Sequence, residues 1–417
     1  MTFNQAVGPA ADAALQDQEA FAVHDLFYSS TDRRGLIRSG NAVFQRVAGL
    51  PWDRLVGAAH RIVRDPDTPR AIFWQMWQTL QQGKPFAAYL KNKSATGRWY
   101  WVMAVVVPIE DGYLSTCIKP GSPLFAQVRS IYADIAAAER LQTLAPEASC
   151  DLLLDRLRQI GFASYSDFMF HATEQELLAR SAALGRVNAA LDRSLTTINT
   201  SLRATQDMQA TLLTQFDELQ SIPTNMRIIA SRLEPSGGPI SAISDNYKFS
   251  STEISRRLEA FAGSTTNLCQ SMSTIVAHAM FLAGVARLMG EVPRRFATED
   301  RSQNPVDFDT ELALLSGIEA SFRADSRAAM IRAEQVAGEL NLASGEIRRM
   351  MLGLDTIRVM GRVESGRLGA AGVGLAATID QLDLRHAAIA EHLQGLMDFS
   401  AAIKSALNAY ARHAADT

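Results

Sequence analysis

The chain has 417 residues, 47% hydrophobic and 20% charged, the balance of a folded chain long enough for two or three domains. Its 41 basic and 44 acidic side chains leave a formal net charge of -3, with no Lys/Arg run longer than a pair, which argues against a nucleic-acid partner. The three cysteines, Cys117, Cys150 and Cys269, lie far apart in no metal-ligand spacing, so neither a disulfide framework nor a metal site is expected.

Composition divides the chain. Trp52, Trp74, Trp77, Trp99 and Trp101 are its only tryptophans, and no proline follows Pro305. An aromatic-rich head therefore precedes an Ala/Leu/Arg/Glu-rich tail. Residues 1–19 have no basic segment leading into an apolar one and read as an irregular or helical leader; a secretory signal is not expected, and a reducing cytoplasm is the expected location. In the head, residues 20–120, short strands at Leu26–Ser30 and Leu36–Arg38 flank an Asp-to-Gly turn ending at Gly35. A short helix from Asn41, which is placed to cap it, leads through Pro66 and Pro69 into a firmer helix, Arg70–Gln82, with Ile72, Phe73, Met76, Trp77 and Leu80 at helical spacing. Strands at Phe86–Lys93, Arg98–Pro108 and Tyr113–Lys119 follow, turned at Gly97 and Gly112. The pattern predicts an α+β domain, a five-stranded antiparallel sheet with short helices on one face.

Residues 121–169 read as a helical connector, with patterns at Leu124–Leu141 and Cys150–Ile160. Beyond it, breakers at Pro235–Pro239, at Pro293–Pro305 and at the glycines of 366–374 leave four long helices, about 170–233, 241–292, 306–364 and 375–414, the first kinked at Pro223. Helices approaching ~90 Å persist only with an apolar seam buried along their length. Two hairpins, 170–295 and 305–417, therefore predict a long all-α antiparallel coiled-coil four-helix bundle. The apolar stretch Ile275–Gly290 is short for a bilayer and carries His278 and Arg287, so it is read as buried helix and not as a span. No phosphate loop or His-Glu-x-x-His occurs, and no catalytic residue is assigned. His386 and His392 are read as solvated helix surface.

The head carries Thr31-Asp32-x-x-Gly35-x-Ile37-x-x-x-Asn41-x-x-Phe44, then Gly57-x-x-His60-x-x-Val63-Arg64-x-Pro66-Asp67-x-Pro69, then Lys91-Asn92 and Tyr100-Trp101-Val102. These blocks resemble the PAS domain of bacterial aerotaxis receptors. The resemblance implies sensing of redox state or oxygen through a non-covalent FAD, with haem b or an empty pocket as alternatives. Carried over position by position, it implies Asn41, His60, Arg64, Asp67, Phe86, Asn92 and Trp101 as cofactor contacts, with His60 the axial ligand if haem replaces FAD. Three positions depart from the flavin pattern: Asp65 stands for a histidine, Thr68 for a methionine and Phe86 for a tryptophan. Trp99, Trp101, Phe86 and Tyr89 also suit the core of such a sheet.

Ile357 to Ala376 resembles the hairpin tip of methyl-accepting chemotaxis proteins. Glu364, Arg367, Gly369, Gly372, Gly374 and Ala376 match, and Leu375 replaces a phenylalanine. With an offset of 130, Asn225, Ile229, Arg232, Leu233 and Glu234 fall opposite Asp355, Val359, Arg362, Val363 and Glu364, so 234–240 looks like a degenerate copy of the same tip. The resemblance implies a sensory transducer, not an enzyme, that signals in aerotaxis or energy taxis to a chemotaxis histidine kinase and its coupling adaptor, or to other chemoreceptors. Arg362, Glu364, Arg367, Gly369, Gly372 and Gly374 would be the contact residues, and self-association would run through the bundle. Met360 and Gly353-Leu354-Asp355 replace polar residues of that tip, which leaves room for an alternative, a cofactor-free scaffold modulating receptor arrays.

Overall fold

The structure, a computed structural model, describes residues 18–186, 189–233, 237–263, 267–298 and 307–415. The chain separates into two units, residues 1–187 with 277–327 and residues 188–276 with 328–417.

In the first unit, residue alternation builds β1 (Leu26–Asp32), β2 (Ile37–Gly40), β3 (Phe86–Lys93), β4 (Trp99–Ile109) and β5 (Gly112–Ile118). All neighbours are antiparallel and the order is β2-β1-β5-β4-β3, so the last strand is the central one. This is the five-stranded sheet with short helices expected of a PAS domain. Register sorts the side chains: Phe27, Cys117, Ala104 and Ala88 lie on one face, Tyr28, Thr116, Val105 and Ala87 on the other.

Short elements dress the first face. Asn41 caps α1 (Ala42–Ala48) as expected, accepting from the Phe44 N–H, and Gly49 ends it with φ 67°. Then come α2 (Trp52–Leu55), a 3-10 turn at His60–Val63 and α3 (Arg70–Leu80).

The second face carries Leu26, Tyr28, Trp101, Met103, Val105 and Val107, an apolar surface that needs cover. It is supplied by α4 (Pro123–Gln142), α5 (Pro146–Gln159), α6 (Tyr165–Ala183) and parts of two later helices, α10 (Leu268–Phe296) and α11 (Phe308–Arg367). Trp101 packs edge-on to Phe125 at 5.5 Å, Tyr89 stacks on Phe125 at 5.3 Å, and Tyr28 meets Phe296, which stacks on Phe308 at 4.3 Å. The head thus does not close near residue 120: residues 121–186, 277–298 and 307–327 group with it, and their buried side chains cover this face. Buried carboxylates pin them. Glu176 accepts from the Gly121 and Ser122 N–H groups, the Ser122 hydroxyl and Tyr89 OH, and Glu311 accepts from Ser39 Oγ at 2.5 Å.

The second unit contains α7 (Ala189–Gln220), α8 (Ile222–Arg232), α9 (Gly238–Leu258) and α12 (Val373–Ala415), with the remainder of α10 and α11. The first predicted long helix is therefore three, separated after Gly185 (φ 66°) and again at Ser221, next to Pro223 with its missing N–H. The second is interrupted by a π turn at Glu259–Gly263. Pro293, expected to end a helix, lies inside α10, whose last turns are held by buried Met289, Val292 and Phe296. Glu234 lies outside the described residues. Buried positions on α12 step by four and three: Leu375, Ile379, Leu382, His386, Ile389, Leu393, Leu396, Ser400, Ile403, Leu407 and Tyr410. His386 is thus a seam residue and not solvated surface. Among the described helices α10 alone is long and apolar enough to cross a membrane, and 61% of its most apolar window is buried in the protein.

Candidate functional site

β5 is the central strand, yet its side chains alternate in burial: Leu114, Thr116 and Ile118 are buried, while Tyr113, Ser115 and Cys117 are half-buried. A central strand keeps accessible surface on one face only where the layer above leaves a gap. That layer is α1 to α3, and its residues His60, Ile62, Phe73 and Trp77 are also only half-buried. Together they outline a cleft over β5. Trp77 meets Tyr113 edge-on at 5.4 Å, and Arg64 lies over the Phe73 ring at 3.7 Å.

Desolvation by neighbouring side chains dominates the electrostatics of these residues. His60 Nε2 shares a 3.0 Å hydrogen bond with Ser29 Oγ, and its ring stacks on Phe44 at 5.8 Å. Burial pushes the His60 pKa below its ordinary value, so the imidazole is neutral at neutral pH. Burial lifts the Cys117 thiol to about 12 against the opposing hydrogen bond from Ser115, which leaves it an unreactive, weakly polar wall. Burial also lowers the Arg64 pKa, countered by the charge of Glu139, and the guanidinium stays protonated.

The residues expected from sequence are only partly brought together. His60 and Arg64 reach the cleft. Phe86 and Asn92 lie on the cleft face of β3, but Phe86 is spent on Tyr165, while Asn92 bridges to Arg64 through the backbone and bonds Tyr100 through its side chain. Three lie elsewhere. The Asn41 amide is consumed by backbone, accepting from Tyr28 and Phe44 and donating to Leu26. Asp67 turns to Lys91 at 2.7 Å and Arg140 at 3.1 Å. Trp101 points to the opposite face of the sheet, onto Phe125 and Tyr132. For His60 to ligate haem through Nε2 it would have to leave Ser29. Ser29, Ser115, Cys117, Phe73 and Trp77 were not singled out as site residues; the signal was small polar side chains alternating along the last strand, Tyr113-Leu-Ser-Thr-Cys-Ile, where an apolar floor is the rule.

The hairpin tip forms in the second unit as a 3-10 turn at Gly369–Gly372, with Gly369 at φ 55° and the Gly372 carbonyl accepting from Ser365 Oγ. A cavity of about 400 Å³ opens there, walled by Arg362, Ser365, Gly369, Gly372, Val373 and Asp380. Arg362 pairs with Asp380 and Asp383, and Glu364 with Arg367 at 3.4 Å. Gly374 starts α12. Val359, Met360, Val363 and Val373 are exposed around the turn.

No family model matches the chain. Its N-terminal part is 35% identical over 114 residues to the Aerotaxis receptor of Escherichia coli (strain K12), covering 26% of this chain and 22% of that protein. It is also 35% identical over 81 residues to the Nitrogen fixation regulatory protein of Klebsiella pneumoniae, covering 19% and 16%. The chain thus spans about a fifth of the length of these relatives. Among solved structures it is similar to a PAS domain from Colwellia psychrerythraea (18% identity, TM-score 0.21, 26% of this chain and 95% of that one). A LOV domain from the Erythrobacter litoralis EL346 blue-light activated histidine kinase is similar at 16% identity and TM-score 0.20, covering 22% and 90%. At these TM-scores the fold assignment stands on the strand order and on the sequence relatives: the chain carries a PAS domain joined to a helical region.

Proposed function

We propose that the chain is a sensory signal transducer whose PAS cleft holds a flavin of the FAD type and whose helices pass the state of that cleft to the hairpin tip. The observation that carries this reading is the accessible surface on Tyr113, Ser115 and Cys117 in a central strand. The lining suits a flat, partly polar ring: Phe73 and Trp77 offer aromatic faces, Ser115 and Cys117 a weakly polar floor, and Arg64 a fixed positive charge. When bound, such a group supplies one- and two-electron chemistry that changes the protons at its edge.

The chain's own residues connect the cleft to the helices. Ser29 faces the cleft and holds His60, while its neighbours Tyr28 and Ser30 face the other side. Tyr28 packs on Phe296; Ser30 bonds Ser39, which donates to Glu311 in the first turn of α11. In a strand of period two, a shift of Ser29 moves both neighbours. α11 ends at the tip, where Glu364 and Arg367 would meet a chemotaxis kinase, its coupling adaptor or another receptor. The similarity to the Aerotaxis receptor supports oxygen or redox state as the stimulus.

The test is optical. Purified chain should be yellow or take up added FAD, and Cys117→Phe, which fills the gap, should lower FAD affinity at least ~10-fold while tryptophan fluorescence keeps the folded spectrum. Wild type that stays colourless with excess FAD removes the cofactor. Separately, adaptor capture unchanged by Glu364→Ala with Arg367→Ala removes the tip assignment.

A further inference from the structure

The helical unit contains a polar layer inside its apolar seam. His386, 5% exposed, stands between Ile379-Leu382 and Ile389-Leu393 on α12. Its Nε2 lies 2.6 Å from the Tyr247 hydroxyl of α9 and its Nδ1 2.9 Å from Asp355 of α11. The two rings also stack, at 5.8 Å and 22°. Three helices therefore meet through one imidazole, at a level where Ile243, Leu354 and Leu382 keep the rest of the seam apolar.

We infer that the Tyr247–His386–Asp355 layer is a proton-responsive element in the helical unit, an input separate from the PAS cleft. The neutral imidazole satisfies both partners in one way: Nδ1–H donates to Asp355, and Nε2 accepts from Tyr247. A second proton, on Nε2, opposes the hydroxyl proton of Tyr247. The hydroxyl must then turn to accept, and among the described residues its own proton finds no second acceptor. Protonation thus exchanges a satisfied chain for a buried charge and an orphaned donor.

The surrounding charges hold the opposite bias. On α11, Asp355 pairs with Arg358 at 3.3 Å; on α12, Asp383 pairs with Arg358 and Arg362, and Asp380 with Arg362. Three carboxylates face two guanidiniums, and an imidazolium would complete the balance. From the other helices, Glu218 of α7 is engaged by Arg385 next to the histidine, and Arg227 of α8 is turned to Asp245 of α9. Burial, the larger influence, favours the neutral ring; Asp355 favours the charged one, and the charge of Arg358 opposes it. A layer pulled both ways changes protonation when its packing changes, and changes packing when it is protonated.

The test uses full-length protein with ring-¹⁵N histidine, where His386→Asn identifies the signal. At about pH 8 the ring should be neutral with its proton on Nδ1, and its titration midpoint should fall below the ordinary 6.5. Asp355→Asn, which removes the bias toward charge, should lower that midpoint by about one further unit. Amide protection factors near 247, 355 and 386 should drop at least ~10-fold from about pH 8 to about pH 5.5 in wild type and hold constant in His386→Asn. A proton on Nε2, a midpoint at or above 6.5, or equal loss of protection in both proteins overturns the inference. If His386→Asn fails to fold, the wild-type tautomer and the Asp355→Asn shift still decide it.

Discussion

Two histidines set the two units apart. His60 lies on the half-buried face of the first unit, with the Ser29 hydroxyl, backbone and a stacked Phe44 ring as partners, and no charged side chain pairs with it among the described residues. His386 sits in a continuous seam, with a partner on each ring nitrogen and a carboxylate as one of them. Both lose basicity through burial, yet their surroundings differ in what could replace a lost partner. His60 lies among half-buried neighbours, Ile62, Phe73 and Trp77, whereas His386 lies between the buried Leu382 and Ile389. The two differ in the kind of partner: neutral groups around His60, and a carboxylate with a hydroxyl on the two ring nitrogens of His386.

The contrast can be broken by experiment, and tryptophan fluorescence isolates one side of it because every tryptophan lies between Trp52 and Trp101 in the first unit. The largest effect is expected at Glu176, whose carboxylate accepts from four donors in the helical cover of the sheet. Glu176→Ala should cost ~3–5 kcal/mol in urea unfolding read by tryptophan, because it orphans those donors in the interior. A loss below ~1 kcal/mol would mean that the cover is not fixed by this residue.

An intermediate effect comes from acid. For both histidines the folded value lies below the unfolded 6.5, so the unfolded chain takes up a proton first. Stability should be full above 6.5 and decline as pH falls from there to the lowered folded values. Added FAD should blunt the decline seen by tryptophan, and leave the loss of amide protection near 247, 355 and 386 in the second unit unchanged. Blunting of both, or of neither, would erase the distinction between the two sites.

The smallest effect is at Glu311, whose pKa burial raises despite the Ser39 hydrogen bond. A raised carboxyl favours the folded state when protonated, so its contribution is present below 4.5 and lost as pH rises through its folded value. Glu311→Gln should therefore change stability at neutral pH by less than ~1 kcal/mol, in the stabilising direction, in thermal melts.

Much of the fold was readable. Strand alternation, the Asn41 cap and the glycine turns located five strands within a residue or two, and the last two helices were bounded closely. The site was less readable. His60 and Arg64 reach the cleft, but Trp101 cannot, since it follows Tyr100 on a strand whose successive side chains face opposite ways. His386 reads as surface from its distance to His392 alone, whereas the four-three repeat from Leu375 to Tyr410 places it in the seam.

Sequence by itself determined what is local: the period of each element, its caps and breaks, and the apolar seams that commit the tail to packed helices. Only the tertiary structure decided which of those helices close the sheet and which pair with one another. Leu288 and Leu393 are alike as letters in a helical repeat, yet the first lies under the sheet and the second in the bundle. The hydrophobic effect that drives both is non-directional, so a helix face specifies that it must be buried and leaves open against what.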